Sequence, residues 1–120
     1  MARNTVAIMM RKAPYGSVYT AEGFRSIMGV GVFELDVRPV FVDDGVYALV
    51  KGQDGAALDV KALGDGWGML EDFGVKTLYA HGPSLAERGL TPADLTTDVT
   101  VLDDAGLAAL LADSGAVLPF

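Results

Sequence analysis

The sequence predicts an α/β domain built on an open, mostly parallel β-sheet. Short, continuous apolar runs with β-branched members recur along the chain, and such runs form strands that are buried on both faces. Segments with helical spacing lie between these runs, and strands that alternate with helices form parallel sheets with right-handed crossovers. Because 120 residues is the size of one ordinary domain, we expect a single domain over residues 1–120.

The first strand and the first helix lie at the beginning of the chain. The run "TVAIMMR" at 5–11 predicts strand one, which ends near Lys12. Ser17 is a candidate N-cap for an amphipathic helix that ends at Gly29 or Gly31. Its apolar residues recur at spacings of three and four: Ala21, Phe24, Ile27 and Met28.

The second strand contains a proline. "DVRPVFV" at 36–42 predicts strand two, and Pro39 favours a strand start or a sheet edge because proline cannot donate to a ladder. In "DDGVYALV", directly after this strand, Asp43 or Asp44 is expected to cap a short helix.

The second half of the chain continues the alternation. Residues 59–73 place apolar side chains at i, i+3, i+7 and i+10, which predicts a helix in spite of its three glycines. The elements expected after it are strand three at 75–80, a short helix in "SLAERG", strand four at 98–102, a capped helix in "DDAGLAALLADSG" and a last strand in "AVLPF".

Composition excludes several classes of function. Lys and Arg number 9 against 16 Asp and Glu, giving a net charge of -7, and no basic stripe is present to bind nucleic acid. The longest apolar run near the start has five residues, so we expect neither a signal peptide nor a membrane span and place the chain in the cytoplasm. With no cysteine, the chain cannot form a disulfide, a thiolate metal site or a persulfide.

The apolar content is high for a small domain. Hydrophobic residues make up 51% of the sequence and the mean hydropathy is +0.34. Small domains expose a large share of their surface. We therefore expect some of the apolar surface to meet another subunit.

An open parallel sheet binds its ligands outside the carboxyl ends of its strands. Three loops lie there: "APYGS" after strand one, "DDGVY" after strand two and "HGPS" after strand three. The candidate binding residues in these loops are Tyr15, Gly16, Asp44, Tyr47 and His81, which is the only histidine in the sequence. In the alternative interpretation these residues have structural roles only. The tyrosines cover apolar surface as amphipathic lids, the glycines allow turns, and His81 is an imidazole at the surface or in an interface whose hydrogen bonds are already made.

Motif searches give little support to an enzyme. Neither nucleotide-binding glycine motif is present, and Ser84 lacks the flanking glycines of a nucleophile elbow. The pairs Asp43/Asp44 and Asp103/Asp104 precede helical stretches, where helix capping is favoured over cation binding. We therefore predict no catalytic residue, no metal site and no cofactor.

Several stretches together resemble the DsrE/DsrF family of small sulfur-relay proteins, and most closely its DsrF/TusC branch. These are "APYGS", "AEGFR", "VFVDDGVYALVKG", "SLAERGL" and the terminal "AVLPF", which span essentially the full chain. The resemblance implies a three-layer, flavodoxin-like subunit with helices on both faces of the sheet. It also implies a cytoplasmic homo- or hetero-oligomer of related subunits, such as a trimer or hexamer, that passes persulfide sulfur towards tRNA thiolation or sulfur oxidation.

The sequence departs from that family at one position. Aligned through "SLAERGL", the cysteine that carries sulfur in other members is replaced by His81. We expect a non-carrier subunit with a structural or pocket-lining role, in which Gly82, Ser84 and Arg88 join the binding residues and Glu87 and Arg88 form part of the rim.

Two other hypotheses stay open. One is a free-standing homo-oligomer without sulfur transfer, whose loops at 14–16, 43–47 and 81–84 form a small-ligand pocket. The other is an enzyme with His81 as a general base, for which the sequence reveals no reactive partner group.

Overall fold

A computed structural model describes residues 2–12, 22–23, 25–27, 36–50, 75, 77–95 and 98–120. Five strands form one parallel sheet in the order β4-β3-β2-β1-β5. The strands are β1 (Ala2–Met10), β2 (Asp36–Phe41), β3 (Tyr79–His81), β4 (Thr100–Leu102) and β5 (Ser114–Pro119). The helices are the 3-10 helices η1 (Asp43–Leu49) and η2 (Pro92–Asp94) and the α-helices α1 (Gly82–Glu87) and α2 (Asp104–Ala112).

The predicted parallel α/β architecture is confirmed. All five expected strands are present, although β3 and β4 are shorter than the apolar runs that predicted them. Residues 22–23 and 25–27 are helical, in agreement with the predicted first helix. The helix predicted at 59–73 and the N-cap predicted at Ser17 lie outside the described residues.

Helices α1 and α2 lie on opposite faces of the sheet at β4. Gly82, at the start of α1, approaches the side chain of Val101, whereas Gly106 in α2 approaches that of Leu102. Consecutive residues of a strand point to opposite faces. The two helices therefore lie on opposite sides of β4, as a three-layer arrangement requires.

The core is centred on β1 and β2. Val6, Ala7 and Ile8 are consecutive and all buried, which confirms that β1 is covered on both faces. The cluster around them extends into η1, β3 and α1 and includes Phe41, Val46, Leu49, Ala80 and Leu85. None of the helices among the described residues is both long and apolar enough to cross a membrane.

The expectation for Pro39 was wrong. It lies in the interior of β2, which has β1 on one side and β3 on the other. Val42 N donates to Met10 O on β1. Successive residues of a strand direct their backbone N–H and C=O groups to opposite neighbouring strands, so the backbone groups of Val40 and Val42 point to β1 and those of Pro39 point to β3. Pairing with β3 begins only at Val40. Pro39 therefore lacks its N–H at a position where β2 is not yet paired with β3, so the ladder between these two strands loses no hydrogen bond.

The two acidic pairs behave differently. Asp103 caps α2 as predicted, since its Oδ1 accepts from Gly106 N at 2.7 Å. The capping predicted for Asp43 or Asp44 was wrong, because Val42 is the N-cap of η1 and no side chain caps it. The difference is geometric, because Asp43 lies inside the first turn with φ 49° and Asp44 turns outward to a guanidinium.

Candidate functional site

Three strands end at the same edge of the sheet and carry the candidate site there. β2, β3 and β4 are parallel, so their carboxyl ends meet. η1 follows β2 after one residue, α1 follows β3 directly, and Asp103 joins β4 to α2. These short connections bring residues 43–47, 81–84 and 103–104 together, as the sequence predicts for the first two of these loops.

His81 is the last residue of β3 and both of its ring nitrogens have partners. Nδ1 lies 2.7 Å from Ser84 Oγ, and Nε2 lies 2.7 Å from Asp104 Oδ1. The His81 side chain is 14% exposed, whereas that of Asp104 is 86% exposed. His81 is thus a half-buried imidazole between a buried hydroxyl and an exposed carboxylate.

Ser84 links the loop after β2 to the loop after β3. Its hydroxyl is buried in the first turn of α1 and accepts a hydrogen bond from Asp43 N at 2.9 Å. Asp43 adopts a left-handed backbone, which costs a residue with a side chain about 1–2 kcal/mol. Two residues later, a Cβ on Gly45 would overlap the carbonyl of Met10, so only glycine fits there. The loop is therefore fixed between the end of β1 and Ser84.

Arg88 organises the outer part of the same edge. Its Nε and one terminal nitrogen donate to Asp44 Oδ1 at 3.1 and 3.0 Å, and its other terminal nitrogen donates to Ser84 O at 3.1 Å. The guanidinium also lies 6.0 Å from the centre of the Tyr47 ring. Burial lowers the pKa of Arg88, but the hydrogen bond and charge of Asp44 outweigh it and raise the pKa above its ordinary value. Arg88 therefore stays cationic and connects η1 to α1.

The structure brings six of the eight predicted binding residues to this edge. They are Asp44, Tyr47, His81, Gly82, Ser84 and Arg88. Tyr15 and Gly16 lie outside the described residues. The contact of Asp104 with His81 was not predicted, because the acidic pair was assigned to helix capping. The signal was available, since Asp104 follows strand four at the same edge as His81.

The charge of this edge is net acidic. In the described part of the chain five exposed carboxylates lie here: Asp43, Asp44, Glu87, Asp103 and Asp104. Three cations accompany them, namely Arg88 and, at the end of the parallel strand β1, Arg11 and Lys12. No group of three or more potential metal ligands occurs among the described residues. The arrangement offers hydrogen bonds and negative charge, and the chain supplies no thiol.

A small cavity lies at the opposite edge of the sheet. It has a volume of about 150 Å³ and lies where β2 and β3 begin, lined by Asp36, Val37, Arg38, Thr77 and Tyr79. Arg38 forms ion pairs with Asp36 and Asp113 at 3.1 and 3.3 Å. Burial lowers its pKa, but these carboxylates outweigh it and keep the pKa above the ordinary value. The cavity is separate from the loops that carry His81.

Comparison with known proteins identifies relatives over nearly the whole chain. The profile of the DsrE/DsrF-like family matches residues 4–120. The intracellular sulfur oxidation protein DsrF of Allochromatium vinosum is 35% identical over 124 residues, covering 92% of this chain and 91% of the relative. A TusC homolog of Pseudomonas aeruginosa is 37% identical over 107 residues, covering 89% of this chain and 90% of the relative.

Solved structures support the same fold. The crystal structure of the ychN protein from E. coli superposes with a TM-score of 0.84 at 23% identity and covers 97% of this chain and 98% of its own. A protein of unknown function from Methanobacterium thermoautotrophicum has a TM-score of 0.67 at 17% identity, with the same coverage of both chains. At these identities the likeness concerns the fold alone.

Proposed function

Because the chain belongs to the DsrE/DsrF-like family, we propose that it is a cysteine-free subunit of an assembly of related subunits that relays sulfur. Its role there is to complete the assembly and to line the pocket in which the cysteine of a partner subunit is charged. The name of its DsrF relative supports a place in sulfur oxidation, and the likeness to TusC homologs leaves tRNA thiolation, which the family resemblance implies, as the other proposal. We further propose that it acts in the cytoplasm as a single domain over its full length.

One observation carries the non-carrier role. A persulfide requires a thiol, and the chain contains no cysteine. The family resemblance assigns the carrier cysteine to position 81, at the end of β3, where this chain has an imidazole. Sulfur that reaches this edge must therefore remain on a second protein.

Exposed apolar surface supports an assembly. α2 exposes four alanines (Ala105, Ala108, Ala109 and Ala112) and, of its nine residues, buries only Leu110. Val101, Val117 and Leu118 are also large and exposed. Surface of this kind is characteristic of subunit interfaces. We propose that related family subunits cover it, in a homo- or hetero-oligomer such as a trimer or hexamer.

The acidic edge constrains what docks over His81. Glu87 and Arg88 form part of the rim, and Asp44 already neutralises Arg88. An anionic persulfide brought to this edge on an uncharged surface would meet net repulsion. We therefore expect the partner surface to carry Lys or Arg beside its cysteine.

Native mass spectrometry on the tagged chain, purified from its own host, tests the proposal. Each co-purifying chain is identified and assayed for persulfide. A defined complex with a cysteine-bearing member of the family, persulfidated at that cysteine, is the expected result. A homo-oligomer alone, with no such partner, would instead favour the alternative of a repurposed small-ligand protein.

Substitution of His81 tests the pocket-lining role within that complex. We expect His81→Ala to leave assembly intact and to slow sulfur transfer by the partner complex. Arg25→Ala, which removes only an exposed ion pair with Glu22, is the matched control. Unchanged assembly and unchanged transfer in His81→Ala would remove His81 from the proposal.

A further inference from the structure

The hydroxyl of Ser84 has one donor and one ring nitrogen as its partners among the described residues. Asp43 N lies 2.9 Å from Oγ, and a backbone N–H only donates, so Oγ accepts this bond. His81 Nδ1 lies 2.7 Å away on the other side. Ser84 is 2% exposed, and a buried hydroxyl proton without an acceptor is unfavourable. The proton of Ser84 therefore points to Nδ1, which must be unprotonated.

The opposite nitrogen leads to the same assignment. His81 Nε2 lies 2.7 Å from Oδ1 of Asp104, and an ionised carboxylate only accepts. The ring must therefore carry its proton on Nε2. Donor and acceptor rules at the two ends of the ring agree on one neutral tautomer.

We propose that Ser84 is a positioning residue that holds His81 as a neutral ring with its proton on Nε2, which makes His81 a hydrogen-bond donor for an anionic acceptor. This inference rests on the proposed function, in which that acceptor is the thiolate or persulfide sulfur of the partner subunit. The lone pair of Nδ1 is occupied by Ser84 and Nε2 is already protonated. His81 is consequently not a general base in this geometry.

The carboxylate of Asp104 occupies the acceptor position at His81 Nε2 that the incoming anion takes. Its side chain is 86% exposed and extends from the first turn of α2, so it is free to turn into solvent. Ser84 and the ring of His81 are much more enclosed and stay in place. The donor thus remains aimed outward when the carboxylate leaves, and an arriving thiolate or persulfide meets an N–H already directed at it.

The chain is suited to a direct test, because His81 is its only histidine. The isolated chain is prepared with a histidine-free affinity tag and uniform ¹⁵N labelling. Long-range ¹H–¹⁵N correlation spectra then show a single imidazole and distinguish its two nitrogens. They are recorded at alkaline pH, in the range where the ring shifts no longer change with pH and the neutral ring is observed.

For the wild-type chain we expect the protonated nitrogen shift at Nε2 and the unprotonated shift at Nδ1. Asp104→Ala, an exposed change, should leave Nδ1 unprotonated because Ser84 still donates to it. In the Asp104→Ala chain, where no carboxylate holds the proton on Nε2, Ser84→Ala should move both shifts towards those of a free neutral imidazole, whereas Ser84→Thr keeps a hydroxyl and should retain the wild-type pattern.

Two results would overturn the inference: a proton on Nδ1 in the wild-type chain, or unchanged ring shifts when Ser84→Ala is added to Asp104→Ala. The wild-type spectrum alone decides the tautomer if the double variant does not fold. No partner is needed, so a failed tautomer assignment leaves the sulfur-relay proposal intact. Equally, failure to find a persulfidated partner leaves the tautomer assignment intact.

Discussion

Strands β1 and β5 are neighbours with similar apolar sequences and opposite surroundings. Ile8 pairs in register with Leu118, yet Ile8 is 0% exposed and Leu118 is 37% exposed. The pair Ala7 and Val117 repeats the contrast one residue earlier, with 0% and 39% exposed. Apolar character thus has two uses in this chain. β1 forms the core of the subunit, and β5 presents surface that we assign to an interface between subunits.

The largest expected effect comes from the buried member of the register pair. Ile8→Ala truncates a fully buried side chain in the strand that is covered on both faces, and should lower the free energy of unfolding by about 2–5 kcal/mol. Urea unfolding followed by circular dichroism measures this change. Val117→Ala is the matched control on β5 and should cost much less. Equal losses for the two variants would contradict the assignment of β5 to the surface.

A smaller loss is expected where the loop after β2 meets the end of β1. Gly45→Ala places a methyl group against the carbonyl of Met10, and the backbone must shift to relieve the overlap. Overpacking of this kind costs about 1–3 kcal/mol, which the same urea titration detects.

Gly89 provides the control for that substitution. It has φ +67° and nothing within 4 Å of an added Cβ, so Gly89→Asn tests backbone conformation without a steric overlap. Asparagine tolerates the left-handed region, and we expect a loss well below that of Gly45→Ala. A larger loss of stability for Gly89→Asn than for Gly45→Ala would contradict the expectation that the overlap with β1 at Gly45 costs more than a left-handed backbone at residue 89.

The order and type of the elements could be predicted from sequence because the strand signals are local. The apolar run at 5–11 contains β1 and needs no distant partner to be recognised. Pro39 misled the prediction because its cost depends on where β3 begins to pair, and that register depends on distant residues. The exposure of β5 could not be predicted either, since "AVLPF" is typical of a core strand whether its apolar residues are covered by this chain or by another.

The candidate site also has a part that could be predicted from the sequence and a part that could not. Position at the carboxyl edge follows from strand order along the chain, so the loops alone predict that Asp44, Tyr47 and His81 lie there. Gly82, Ser84 and Arg88 were added through the family resemblance. The contact between His81 and Asp104 joins β3 to α2 and depends on the sheet bringing them together. Both acidic pairs had the sequence signature of caps, yet only Asp103 caps its helix, because the backbone at Asp43 turns left-handed.

The smallest effect on the subunit itself is expected from the exposed member of the register pair. Leu118→Asn removes apolar surface that this chain leaves in contact with solvent, so unfolding at low protein concentration should change by about 0.5 kcal/mol or less. Association stabilises a subunit by mass action, so the wild-type unfolding midpoint should rise with protein concentration. That rise should weaken in Leu118→Asn, and sedimentation should show a smaller assembly. A loss comparable to that of Ile8→Ala at every concentration would instead mean that Leu118 belongs to the core of its own chain.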